Sequence, residues 1–227
     1  ATEAVEIPPF TGITSPVRLS FLTGVKEAKG LTLRIVKSPV KDKLETLYKL
    51  LGELKGESAL VFCNQRESVE RVSNYLTEMG VDNEYFHGGM EQPERERALS
   101  LFRNGSASVF ISTDLASRGL DIPEVKNVIH YHLPINEEAF IHRNGRTARM
   151  NAEGNAFMIL NEIETVPEYI TREPDEFFLP EKAKKPLRSE WVTLTINRGK
   201  RDKLSKKDVV GFLFQNYALW PNMTVYQ

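Results

Sequence analysis

SVFISTDLASRGLDIP, residues 108–123, starts as a short apolar run rich in β-branched residues and breaks off at Asp114 into small residues. That is the pattern of a buried strand that ends, turns and enters a helix. Thr113 and Asp114 sit at the turn. Gly119 tolerates a left-handed backbone, so N–H groups beside it can point outward at an anion. Asp121 can accept hydrogen bonds from a sugar hydroxyl, as acids near nucleotide sites do. The plainer alternative is a tight strand-to-helix turn with Asp114 as its N-cap.

Five more runs of the same kind flank it: LTLRIV, SALVFCN, NEYFHG, NVIHYHL and NAFMIL. Between them lie stretches at helical spacing. Leu44, Leu47, Leu50, Leu51 and Leu54 mark one helix. Val69, Val72, Leu76 and Met79 mark a second, stopped by Gly80, and Leu99 and Phe102 sit on a third, stopped near Gly105. Strands alternating with helices predict an α/β fold with a parallel sheet covered on both faces. In such sheets ligands gather at the carboxyl ends of the strands. The residues there are Asn64-Gln65-Arg66, His87-Gly88-Gly89, Thr113-Asp114 and His132-Leu133-Pro134.

The chain has 227 residues, enough for one domain and a smaller one. No apolar run approaches the roughly 18 residues of a membrane span, and ATEAVEIPPF is no signal peptide. The start lacks Met, so a processed chain or a piece of a longer one is expected. Cys63 is the one cysteine; with no internal disulfide available, a reducing, cytoplasmic setting is expected. The net charge of -1 is uneven. Residues 182–207 carry ten basic and two acidic side chains, a surplus of eight, and the remainder sums to -9. A basic stretch on an acidic chain fits a polyanion, or else a solvated basic linker.

HGGMEQPERERALSLFRNG, residues 87–105, puts two glycines before a helix start marked by Pro93. Amides after Gly88 could hold a phosphate there. Gln92 and Arg95 lie about one turn apart on one side, or Arg95 is one more surface charge of a mixed helix. HRNGRTARM, residues 142–150, places Arg143, Arg146 and Arg149 at steps of three with no acid among them. If helical, they share nearly one face. Forked guanidiniums suit phosphate oxygens, and one held at a γ-phosphate stabilises the charge of phosphoryl transfer. The alternative is a solvated basic face.

No G-x-x-x-x-G-K-[ST] phosphate loop occurs, and no acidic cluster suits Mg²⁺. His130 and His132 share a strand face without completing a zinc set, so no metal site is expected. Residues 161–190 hold four prolines and many charges, as a linker does. WVTLTIN then alternates like a strand, and SKKDVVGFLFQN reads as a helix capped by Ser205 with Asp208. Phe212 and Phe214 are expected in a core rather than as a base-stacking platform. One strand and one helix are too little for an independent core.

FCNQR, HGGMEQPERERALSLFRNG, STDLASRGLDIP and HRNGRTARM, in this order at the strand ends, together resemble motifs IV, IVa, V and VI of DEAD-box RNA helicases. The resemblance spans residues 24–165 and implies the second of two RecA-like domains, with ATP between the two and RNA across both. It implies that Arg146 and Arg149 reach the γ-phosphate, that His142 and Arg143 couple that site to the first domain, and that Asp121, near Gly119, touches the ribose. Asn64, Arg66, Gly88, Gln92, Arg95, Thr113 and Asp114 would lie along the RNA. Motif VI usually has isoleucine where this chain has Asn144; losing that apolar anchor predicts a looser helix. Ala148 for glycine reads as a mild change.

Residues 1–23 resemble the end of the first RecA-like domain, entered within its SAT motif at Ala1-Thr2, and are expected to be disordered or irregularly packed. After a linker at 166–190, residues 191–227 are similar to the start of the RRM-like α+β domain of DbpA-type helicases. Lys200 and Arg201 would there neutralise RNA phosphates, without later strands to complete the domain. The resemblance thus implies the C-terminal part of an ATP-dependent RNA helicase, serving ribosome assembly. ATP with Mg²⁺ would be held mainly by the first RecA-like domain in cis, RNA, including structured ribosomal RNA, would be the partner, and the chain would be a monomer. Without a P-loop, this chain alone is expected to be inactive. The alternative is a non-catalytic RNA-binding module that kept a RecA-like fold.

Overall fold

The computed structural model describes residues 30–117, 122–148, 153–194, 196 and 200–215. The expectation for residues 1–23 lies outside them. All six expected strands form: β1 (Leu31–Lys37), β2 (Ala59–Cys63), β3 (Asn83–Phe86), β4 (Val109–Thr113), β5 (Asn127–His130) and β6 (Gly154–Leu160). A seventh, β7 (Asp175–Glu176), joins an edge. The helices are α1 (Leu44–Glu53), α2 (Arg66–Glu78), α3 (Gln92–Arg103), α4 (Asp114–Ser117), α5 (Glu137–Asn144) and α6 (Lys206–Gln215).

The strands form one sheet in the order β3-β4-β2-β5-β6-β1-β7. Every described pairing is parallel. Parallel pairing needs crossovers, and the helices supply them on both faces. The side-chain period of two divides the work. Ala59, Val61 and Cys63 face α1 and α2, packing with Leu47, Leu50, Leu51, Val69, Val72 and Leu76. Leu60 and Phe62 face the other way, toward Ala98 and Phe102 of α3 and toward Phe110 and Val128. All five residues of β2 are therefore buried. Parallel direction also brings all carboxyl ends to one edge, which is where the polar residues converge.

The segment expected to be a linker is packed on the domain for much of its length. Ile170 enters the cluster of Leu31, Leu33, Phe140 and Met158. β7 pairs with β1, the Phe177 N–H donates to the Ile35 carbonyl at 2.8 Å, and Phe177 and Leu179 lie on the core. Its apolar residues outweigh its prolines and charges.

The tail departs from expectation. Residues 191–194 form no strand. A strand needs a neighbour, and among the described residues none comes alongside; instead the Thr193 hydroxyl lies 2.5 Å from the Ser106 hydroxyl. α6 does form, and its start carries the expected cap: the Ser205 N–H donates to Asp208 at 2.8 Å and the Asp208 N–H to the Ser205 hydroxyl at 3.3 Å. Phe212 and Phe214, expected in a core, are 60% and 74% exposed, because among the described residues no sheet covers the helix. Among the described residues there is no RRM-like sheet.

Candidate functional site

α5 is built to present its last turn to the strand ends. Asn136 caps it, accepting from the Ala139 N–H at 2.8 Å. Glu137 and Glu138 sit in the first turn and His142 and Arg143 in the last, as the helix dipole favours. Arg143 is 1% exposed. Its Nε and Nη2 each donate to the Asp114 carboxylate at 2.6 Å. Nη1 donates to the His132 carbonyl at 2.6 Å, and Nη2 also to Asn64 Oδ1 at 2.8 Å. The guanidinium lies 5.0 Å from the Phe62 ring centroid. One buried cation thus ties the carboxyl ends of β2, β4 and β5 to α5. The acid-free arginine stretch finds its acid across the fold.

Asn64 is equally committed: its Nδ2 donates to the Leu133 carbonyl at 3.1 Å and its N–H to His132 Nδ1 at 3.2 Å. The carboxylate of Asp114 faces Arg143, so both residues shape the edge through internal bonds.

The arginines do not form one helical row. α5 stops at Asn144, and the chain turns through Gly145, with the Arg146 N–H donating to the Arg143 carbonyl at 3.1 Å and the Thr147 N–H to the Asn144 carbonyl at 3.0 Å. Arg143 points into the domain; Arg146 rides on the turn, half-buried, its carbonyl accepting from the Val125 N–H at 3.0 Å. Ala148 has a φ of 52°, in the left-handed region that disfavours alanine. Gly119, Asp121 and Arg149 lie outside the described residues. Asn144 does not loosen the helix end: it is 5% exposed, and its Oδ1 lies 3.0 Å from Nε2 of His130, itself fully buried.

Beside this lies the loop after β3. Arg95 is folded back, its Nε donating to the Met90 carbonyl at 2.8 Å and its Nη2 to the Gly88 carbonyl at 2.9 Å. Gln92 donates to Glu96 at 2.8 Å. A Cβ on Gly88 would stand 3.3 Å from Arg66 Nη2, so the glycine lets that guanidinium lie over the loop. Thr113 is buried and accepts from the Ala116 N–H at 3.4 Å. His142 is exposed, 3.6 Å from Glu138. Arg201 is exposed on a short turn, Lys200–Asp202, in the tail.

Burial sets the charge states. His130 is pushed down to about 3 by desolvation and the neighbouring Arg143, so it is neutral. His132 is lowered by burial, then by Lys43. Burial raises the Cys63 thiol to about 12, so it is no nucleophile. Lys43, 3% exposed, is lowered by desolvation, although Glu164 holds its ammonium at 2.8 Å and the Ile159 carbonyl accepts from it at 2.9 Å. Of these four, the sequence points to His132 alone as a strand-end residue; the signal for His130 is its place as the last residue of β5. Among the described residues no His, Cys, Asp or Glu cluster could hold a metal, and no helix is long and apolar enough to cross a membrane.

Residues 42–151 match the helicase conserved C-terminal domain family. The chain is 35% identical over 161 residues to an ATP-dependent rRNA helicase RRP3 of Yarrowia lipolytica, covering 71% of this chain and 34% of that protein. It is 34% identical over 185 residues to the ATP-dependent RNA helicase DbpA of Escherichia coli, covering 79% and 40%. The chain thus spans well under half the length of these relatives. Among solved structures it is similar to the E. coli DEAD-box protein SrmB bound to regulator of ribonuclease activity A, with 29% identity, a TM-score of 0.59, and 72% and 99% of the two chains covered. It is similar also to S. cerevisiae Dbp5 bound to RNA and ADP BeF3, with 29% identity, a TM-score of 0.52, and 58% and 35% covered.

Proposed function

Because this chain carries the C-terminal RecA-like domain of the DEAD-box RNA helicases, we propose that it completes the ATP site of an RNA-stimulated ATPase and helps that enzyme separate or clamp RNA. The observation that carries this is the division of labour between Arg143 and Arg146. Arg143 bolts three strand ends together, and the turn that follows α5 carries Arg146, its carbonyl held by the Val125 N–H. Fixed donors aimed where charge develops are what phosphoryl transfer needs.

The residues present fit one side of a nucleotide. Guanidiniums at 146 and 149 suit a γ-phosphate, and Asp121 beside Gly119 suits a ribose. A P-loop motif and a Mg²⁺-binding acid cluster are not found in the sequence. ATP and Mg²⁺ would be held chiefly by a first RecA-like domain in cis. ATP supplies the phosphoryl group and the binding energy that favours a closed cleft. This chain orients the arginines, and closure excludes water from them.

RNA would run along the loops after β2, β3 and β4. Arg66, Gly88, Gln92 and Arg95 offer positive charge and backbone donors there, and Thr113 a hydroxyl. Asn64 and Asp114 act as framework, and pairing with Arg143 removes the repulsion that a bare Asp114 carboxylate would exert on phosphate. Arg201 and Lys200 would add salt-dependent grip from the tail. The names of similar proteins favour ribosomal RNA as target. A monomeric, cytoplasmic protein fits this reading.

The test is ATP turnover by the full helicase and by this chain alone. Arg146→Ala in the full protein is expected to lower kcat by about 10^3 or more with RNA binding retained. The chain alone is expected to show no turnover. Turnover by the chain alone that disappears in Arg146→Ala would refute the half-site reading. RNA binding with no ATPase in the full protein would favour a non-catalytic binding module.

A further inference from the structure

We propose that His130 is a positioning residue for Arg146, acting through a buried hydrogen bond to Asn144. His130 ends β5 and Asn144 ends α5. They meet at 3.0 Å between Nε2 and Oδ1, both behind the protein surface. The imidazole stacks at 5.5 Å on Phe140 and at 6.5 Å on Phe62, which keep it from swinging. Held neutral, it donates from Nε2 to the Asn144 carbonyl oxygen, with Nδ1 unprotonated.

The pair is a poor choice for stability alone. Among the described residues, His130 Nδ1 and Asn144 Nδ2 are buried without hydrogen-bond partners. A buried polar atom left unpaired is destabilising, and two apolar side chains would avoid that. What the pair supplies is direction. An apolar contact lets a helix end slide, whereas a hydrogen bond fixes distance and angle.

That direction acts on the arginine turn. Asn144 lies between Arg143 and Arg146. Its carbonyl accepts from the Thr147 N–H at 3.0 Å, and the Thr147 hydroxyl donates to the Lys126 carbonyl at 3.3 Å. With the Val125 N–H holding the Arg146 carbonyl, the turn is anchored on both sides, and the Asn144 side chain sets where it begins. The role assigned to Arg146 rests on the function proposed above.

The test uses Asn144→Leu, His130→Phe and the double variant. In the chain itself, ¹⁵N spectra of the imidazole at pH 7 are expected to show the Nε2–H tautomer. Each single substitution is expected to lower Tm, and the double variant to regain it, since no polar group is then left alone. The double variant, being folded, carries the decision. In the full helicase its kcat is expected to fall about ten- to a hundredfold, as small misplacements of catalytic groups do, with the KM for ATP within about twofold of wild type. An unchanged kcat in that variant, or an Nδ1–H tautomer in the wild type, would overturn the positioning role. An Arg146→Ala control that keeps full kcat would overturn the ATP-site reading, and this inference with it, whatever the tautomer.

Discussion

Arg143 and Asp114, 29 residues apart, meet through two parallel 2.6 Å hydrogen bonds, with the arginine side chain wholly buried. Removing one partner of a buried pair strands the other, at a cost of about 3–5 kcal/mol. Arg143→Met is therefore expected to lower unfolding stability by about that much, because Asp114, Asn64 and the His132 carbonyl lose their donor together. Arg143→Lys keeps the charge but loses the fork, and should recover only part of the loss. Urea unfolding with an unchanged m-value reads both. A loss below about 1 kcal/mol in Arg143→Met would mean that the strand ends hold themselves in place.

The sheet was legible because its signal is additive. β2 is apolar at five consecutive positions, and only a strand buried on both faces explains that. The strand-end residues were legible for the same reason: once the strands are parallel, Asn64, Asp114 and His132 must share an edge. Which of them bond to one another was not, because the partners of Arg143 come from three separate segments. The helical row of arginines failed on a local event, the end of α5 at Asn144, that a spacing of three does not reveal. The tail strand failed because alternation says a segment can pair, not that a neighbour is present.

Ala148 gives the sharpest local disagreement with the sequence reading. There it passed as a mild replacement for glycine, yet its φ is 52°. A left-handed alanine costs roughly 1–2 kcal/mol. Ala148→Gly should relieve part of that, offset by the greater freedom of glycine in the unfolded chain. The expected outcome is a gain of about 1 kcal/mol, or about 2–4 °C in Tm for a domain of this size. A lower Tm would show that the Ala148 methyl, buried in the cluster with Phe140 and Met158, contributes more than the strain removes.

Acid should weaken this fold before it protonates most carboxylates. His130 is pushed from 6.5 to about 3 in the folded chain, and His132 is also lowered. Below 6.5 the unfolded chain therefore binds protons that the folded chain refuses. For His130, stability falls as pH drops from about 6.5 toward 3, at up to about 1.4 kcal/mol per pH unit, and His132 adds a loss of the same sign. Chemical denaturation at pH 7.0, 6.0 and 5.0 should show this decline. The double variant His130→Phe with Asn144→Leu should show a shallower one, with the share of His132 remaining. Equal slopes in the two proteins would mean that His130 is not held neutral.

The route of the chain from the domain into the tail rests on a glycine. A Cβ on Gly52 would stand 2.2 Å from the Lys184 carbonyl oxygen, a contact that backbone cannot absorb without moving. Around it, Lys184 bonds Glu53 at 2.9 Å, the Ser189 N–H donates to Asp82 at 3.1 Å, and the Ser189 hydroxyl donates to the Gly105 carbonyl. Residues 184–193 thus form a strap across the loops at the amino edge of the sheet. Gly52 sits inside α1, where alanine would by itself favour the helix by about 1 kcal/mol. Gly52→Ala therefore sets two effects against each other, and the close contact decides. The helix and its buried leucines should survive, with far-UV circular dichroism unchanged, while the strap lifts. Trypsin should then cut between Lys182 and Arg188 at least about tenfold faster, the change that roughly 1.4 kcal/mol of lost docking produces when opening is rapid. Unchanged cleavage would mean that the strap is already open in solution, and that the basic tail moves independently of the sheet that carries the arginines.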